Sequence, residues 1–190
     1  LYNAGGSVTL SDSTVRDNAG VGVMLDGPLL MINSVLSGNG MSGLVAGKHW
    51  GPPVDIVKST VRDNAEAGIY NRGTMTLTDS AVSGNAARGI WNVSSLSGRG
   101  VLTVVRSTIS SNTGGGLLNH WQASIVDSKI MNNTTTGNGG GIANENEGLL
   151  LNFRGVLSVT GTKVMSNTAS DGGGIYNSGT PDVVTLDNVK

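Results

Sequence analysis

The chain has no cysteine, which excludes disulfide staples and thiolate metal sites alike. Charged residues make up 13% of it and aromatic residues 4%, where a compact globular domain carries charge on about a quarter of its positions. The formal net charge is −1, so there is no basic stripe for nucleic acid and no electrostatic footprint for an anionic membrane. No apolar run nears the ~20 residues needed to cross a bilayer, and the first residues lack the charged, apolar and small-residue series of a signal peptide. What is abundant is glycine, thirty in 190 residues. With so little charge, the surface must be built from Ser, Thr, Asn and Gly, a composition that suits a secreted or cell-surface protein.

Internal repetition explains the glycine. A hydrophobic-x-x-Asn unit returns seven times, ending at Asn18, Asn39, Asn64, Asn85, Asn112, Asn133 and Asn167. Five residues after the first five of these comes an aliphatic residue preceded by glycine: Val23, Leu44, Ile69, Ile90 and Leu117. The last two units delay it, to Ile142 and Ile175, and a second asparagine follows at Asn71, Asn92, Asn119, Asn144 and Asn177. Eight and ten residues before each anchor the chain is apolar, as in Val8 with Leu10 and Met75 with Leu77, the period of two that marks a strand. A Ser or Thr recurs five residues before the anchor, from Ser13 to Thr162, and predicts a stack of inward hydroxyls.

A unit of about 21 residues with two or three short strands cannot bury its inward face alone; stacked units bury it together. The expected fold is therefore all-β, a right-handed parallel β-helix of about eight coils, with handedness following the rule for parallel connections. Residues 1–190 read as a single β-helix repeat domain. Leu1 falls in mid-coil and neither end resembles a cap, so the chain is expected to be a segment of a longer one or to stack end to end with other copies. The anchor asparagines are expected to form a structural ladder, each amide bonding its neighbour and the turn backbone.

The GGGI strings at Gly172 to Ile175 and Gly139 to Ile142, paired with hydrophobic-x-x-Asn, resemble the repeats of chlamydial polymorphic outer-membrane proteins, which carry GGA[ILV] and FxxN motifs. Gly172 to Thr180 and Thr74 to Asn85 are similar to coils of large secreted bacterial β-helix proteins. The likeness runs the whole length, although Val, Leu or Ile replaces Phe and Gly stands where Ala is commoner. It implies surface display, adhesion or a spacer role, and brings no catalytic residues with it.

Several residues could carry chemistry. The row six residues before each anchor reads Asp12, Asn33, Lys58, Asp79, Arg106, Asp127, Gly161, and its alternating signs predict a ladder of cross-strand charge pairs, each contributing roughly 0.2–1 kcal/mol. Arg16-Asp17 and Arg62-Asp63 repeat in identical STVRDN strings and put two carboxylates two rungs, about 9.6 Å, apart. That is near the upper limit for an inverting glycosidase pair, roughly 6.5–9.5 Å, but the adjacent arginines lower a pKa that a general acid needs raised. His49 and His120 both precede tryptophan, lie in loops about 14 Å apart by stacking, and have no neighbouring partner to complete a metal site. Thr76 and Thr78 lie on an outward face as in ice-binding solenoids, but Leu30, Ile32, Asp55 and Val57 break the array. Glycosylation sequons begin at Asn92, Asn132 and Asn133.

The outward position after each aliphatic residue is more informative: Met24, Val45, Tyr70, Trp91, Leu118, Ala143, Tyr176. A coil does not require an external apolar stripe. Tyr70 and Trp91 on adjacent rungs, with Trp50 and Trp121 in loops beside them, are the candidate ligand-binding residues, because sugars stack on such rings. Insertions at Ala46 to Pro53, Val93 to Gly100 and Glu145 to Gly155 either cover this stripe or extend it.

The resulting expectation is a non-enzymatic extracellular or cell-surface β-helix serving as a stalk, adhesin segment or filament component. The alternative is a carbohydrate-binding or carbohydrate-active β-helix of the lyase or hydrolase kind. No cofactor or metal is expected; the expected partners are glycans or other copies of the chain.

Overall fold

The computed structural model describes residues 1–47, 53–95, 98–145, 155–178 and 183–190. Short strands recur three to a coil and assemble into three parallel sheets of eight, eight and seven strands. Sheet A holds the strands after the glycine, such as Ile69–Asn71 and Ile90–Asn92. Sheet B holds the period-two segments, such as Thr74–Thr78 and Val101–Val105, and sheet C the anchor strands, such as Ala81–Ser83. Every strand pairs with its counterpart one coil away, so register follows the repeat: Ile69 opposite Ile90, Leu77 opposite Val104, Val82 opposite Ile109. Among the described residues one antiparallel pair, Ser94–Ser95 with Gly98–Arg99, departs from this order. The seven stacked anchors enclose six turns, with further strands of sheets A and B lying beyond them at both ends. The complete turns are thus fewer than the about eight coils read from the repeats, because the outermost coils are partial.

The core is a column of aliphatic side chains, including Leu36, Val61, Val82, Ile69, Ile90, Met75, Leu77 and Leu102, all but sealed from solvent. Each such side chain removed from water contributes roughly 1.5–3 kcal/mol, and the stacking of coils makes that burial possible.

Polar ladders close the corners. In the anchor ladder the Asn64 Nδ2 donates to Asn85 Oδ1 at 2.9 Å, the Asn64 backbone N–H donates to the same oxygen at 3.1 Å, and the pattern runs from Asn18 to Asn167. Each buried amide is thereby satisfied along the axis. The Ser ladder behaves likewise: the Ser59 N–H donates to Ser80 Oγ, whose hydroxyl donates to the Thr78 carbonyl. A second asparagine ladder joins Asn71, Asn92, Asn119, Asn144 and Asn177 at the corner between sheets A and B. Leu25 and Ala46 occupy its column in the earlier coils.

The tight bends are made by the residues before the ladders. The charged row occupies left-handed backbone throughout, from Asp12 at φ 49° to Arg106 at 45° and Gly161 at 60°, and so does the residue preceding each anchor, as in Asp17 at 57° and Asp63 at 55°. Asp, Asn and Gly tolerate that conformation best, which accounts for much of the aspartate in the repeat. Gly68 shows why glycine precedes the aliphatic strand residue. A methyl there would lie 2.7 Å from Asn85 Nδ2 and 2.7 Å from the Gly89 carbonyl oxygen of the next coil.

Candidate functional site: an aromatic groove on sheet A

The outward stripe of sheet A is continuous in register. Tyr2, Met24, Val45, Tyr70, Trp91, Leu118, Ala143 and Tyr176 lie opposite one another in order. At its middle the Tyr70 and Trp91 rings meet edge to face, centroids 5.2 Å apart and planes at 68°, a geometry worth about 0.5–1.5 kcal/mol beyond burial. Arg72 folds back on Tyr70, its guanidinium carbon 4.8 Å from the ring centroid and its Nη2 donating to the phenol oxygen at 3.1 Å. The tyrosine is thus clamped and one face of its ring is occupied by a cation.

Beside these rings opens a cavity of about 370 Å³, lined by Ser42, Glu66, Ala67, Tyr70, Ala87 and Trp91. The lining comes from the turns of three successive coils, at Ser42, Glu66, Ala67 and Ala87, and from two adjacent strands of sheet A, at Tyr70 and Trp91. Glu66 is exposed and its carboxylate accepts from the Ser42 hydroxyl at 3.3 Å, which puts a charged acceptor in the same cavity as the rings. The Trp91 Nε1 is buried and has no hydrogen-bond partner among the described residues.

Behind Trp91 the site is braced. His120 packs edge to face on the indole at 6.4 Å and is 5% exposed. Burial, reinforced by the nearby Arg88 charge, pushes the imidazole pKa down to about 4, so the ring is neutral at physiological pH. Arg88 is itself half-buried, and desolvation lowers its pKa while Glu145 acts in the opposite direction. Its Nη1 and Nη2 donate to the carbonyl oxygens of Gly139 and Asn138 at 3.3 and 3.4 Å. It reaches them across Gly115, where a methyl would stand 2.5 Å from Nη1.

Of the four candidate ligand-binding residues, Tyr70 and Trp91 share this site. Trp121 lies at the corner between sheets A and B, outside the cavity lining, where its carbonyl oxygen accepts from the Val156 N–H. Trp50, with His49 and most of the insertion at Ala46 to Pro53, lies outside the described residues, as do Leu149, Leu150, Leu151 and Phe153. Glu66, Ser42, Arg72 and Arg88 escaped sequence reading because each sits in a turn or corner whose direction no periodicity specifies. A signal for Arg88 does exist: the run Gly114 to Gly116 on the following rung marks a place where a neighbouring side chain crosses the backbone.

The paired carboxylates on the far side do not converge on a reactive centre. Asp17 and Asp63 lie on either side of Gly38, flank a shallow polar groove lined also by Arg16, Ser37 and Arg62, and are more than half exposed. Arg16 Nε is 3.7 Å from Asp17, and Arg62 Nη1 hydrogen-bonds Asp63. In the charged row Arg106 grips Asp79 with two hydrogen bonds, at 2.8 and 3.0 Å, and holds its pKa down. Of the sequons, Asn92 and Asn133 are buried inside ladders and only Asn132 is exposed. Among the described residues no three His, Cys, Asp or Glu side chains are grouped to hold a metal ion, and no helix is long and apolar enough to cross a membrane.

Three parallel sheets, stacked asparagines and a groove on one outer face define a β-solenoid. The chain belongs to the right-handed beta helix family, whose model matches residues 1–155. Among solved structures the fold is similar to that of the periplasmic alginate epimerase AlgG, with a TM-score of 0.61 and 15% sequence identity. The match covers 100% of this chain and 46% of that one, so the chain spans less than half the length of that protein. At such identity the likeness is one of fold. No curated protein matches the chain in sequence.

Proposed function

We propose that this chain is a non-enzymatic, carbohydrate-binding β-helix acting outside the cytoplasm as a surface or adhesive module, with the saccharide held in the sheet A groove. The observation that carries the reading is the Tyr70 and Trp91 pair lining one cavity together with the Glu66 carboxylate and the Ser42 hydroxyl. Apolar sugar faces stack on rings while sugar hydroxyls donate to carboxylates, and this groove supplies both. The likeness of the GGGI repeats to polymorphic outer-membrane proteins supports surface display, and the periplasmic neighbour supports a location outside the cytoplasm.

A carbohydrate-active role is the second reading, favoured by the fold shared with an alginate epimerase. Against it, Glu66 is the single carboxylate among the described residues that line the groove, and Asp17 and Asp63 are held by their own arginines beside sheet C. The deciding experiment incubates the protein with alginate and with neutral plant and bacterial polysaccharides. Retention in affinity electrophoresis without released or epimerised product is expected. Product formation would establish the enzymatic reading, and absence of retention on every polymer would leave the chain a stalk or filament component.

A further inference from the structure

We infer that the groove accepts the end of a linear glycan laid along the solenoid axis, because its C-terminal end is walled off. The inference rests on the saccharide-binding reading above and adds to it the direction and the terminus recognised.

From Tyr2 to Ala143 exposure along the stripe falls, and it rises again one rung further at the partly exposed Tyr176. Tyr2 is 63% and Met24 39% exposed, Tyr70 and Trp91 are partly exposed, Leu118 is 8% and Ala143 fully buried. The cause is one turn. In the earlier coils five residues separate the anchor asparagine from the strand of sheet A, whereas nine separate Asn133 from Ile142. The lengthened turn brings Gly139 onto the outer face of sheet A, so close to Ala143 that a methyl at 139 would lie 2.6 Å from the Ala143 Cα. The stripe narrows to alanine at that rung because backbone lies on it.

This ridge is anchored on both sides. Thr134 and Asn138 bridge to Thr168 and Asp171 of the next coil, and the Gly139 N–H donates to the Asp171 carbonyl oxygen. Gly172 approaches Tyr176 in the same way one coil further on, although Tyr176 stays partly exposed. From the groove side Arg88 ties it down through the carbonyls of Asn138 and Gly139. The floor from Trp91 back to Met24 covers three rungs, about 14 Å, with no comparable obstruction in the turns after Asn39 and Asn64. One pyranose unit is close to one rung in length, so about three units lie on the floor with the chain end against the ridge.

The test measures binding of mannuronate and cello-oligosaccharides of two to eight units to the full chain by calorimetry and tryptophan fluorescence. Affinity is expected to rise to three or four units and then level. A bulky conjugate at one terminus is expected to weaken binding at least tenfold, and at the other terminus to leave it within twofold. Equal tolerance of conjugates at both termini overturns the inference while leaving saccharide binding intact; absence of binding by any oligomer overturns both. A chain lacking residues 135–138 has the turn length of the earlier coils and is expected to accept the blocked terminus. If it folds, with parallel-sheet circular dichroism unchanged, and still rejects that terminus, the ridge is not the stop.

Discussion

Arg88 crosses Gly115 to reach the carbonyl oxygen of Gly139, two coils along the solenoid, and so joins the wall of the aromatic groove to the segment that ends it. A half-buried guanidinium whose partners are backbone carbonyls makes charge-assisted bonds; these two are long, which puts their joint contribution at the low end of the range.

Arg88→Ala is therefore expected to cost about 1–2 kcal/mol. The change is local: amide hydrogen exchange should accelerate for 138–141 and stay the same in sheet C. Uniform acceleration throughout the solenoid would mean that Arg88 supports the whole coil rather than the ridge.

His120 makes stability pH-dependent. Its folded pKa of about 4 lies below the ordinary value of 6.5, so between those limits the unfolded chain binds the proton and the folded chain does not. Stability is expected to be full above pH 6.5, to fall as pH drops, and to have lost at most about 3 kcal/mol from this group by pH 4. Urea titrations of His120→Gln should show a shallower pH slope in that window; an unchanged slope would place the acid sensitivity elsewhere.

Asn85 sits at the centre of the anchor ladder, and Asn85→Ala removes the oxygen that accepts from both the side chain and the backbone N–H of Asn64. Buried donors left unpaired predict a loss of roughly 2–4 kcal/mol, read from the midpoint of chemical denaturation. Asn85→Asp keeps the acceptor but faces Asn112 Oδ1 with a second acceptor, so it should be more damaging at neutral pH than near pH 4, where the acid can donate.

Asp63→Asn and Trp91→Ala distinguish the two faces. The exposed Arg62–Asp63 pair is expected to be neutral for melting temperature and for glycan retention. Trp91→Ala is expected to weaken retention at least tenfold, and Tyr70→Phe, which loses only the Arg72 bond, by less than threefold. If Asp63→Asn abolished retention instead, the binding surface would lie on sheet C.

How much was legible depended on whether a residue's role repeats. Asn64, Ser80 and Leu77 recur at constant offsets because each stacks on its own copy one coil away, and a periodic contact leaves a periodic trace. The left-handed bends left a weaker trace: the row containing Asp79 and Arg106 was readable as alternating charge, yet its backbone geometry was not, since Lys58 and Arg106 adopt it without being the residues that favour it. Glu66 and Arg88 act across coils and Arg72 folds onto Tyr70 within its own, each at a position without a repeated counterpart, so the repeat itself does not announce them.

By itself, then, the sequence determined the solenoid, its register and its ladders, because a fold held by translation along one axis needs only short-range offsets to be specified. The tertiary structure decided the groove. Only stacking could show that Tyr70 and Trp91 share a cavity with Ser42 and Glu66, and that the lengthened turn after Asn133 sets Gly139 on Ala143. A site made by different residues from several coils depends on where each turn folds, and turn direction is set by packing that no single repeat contains.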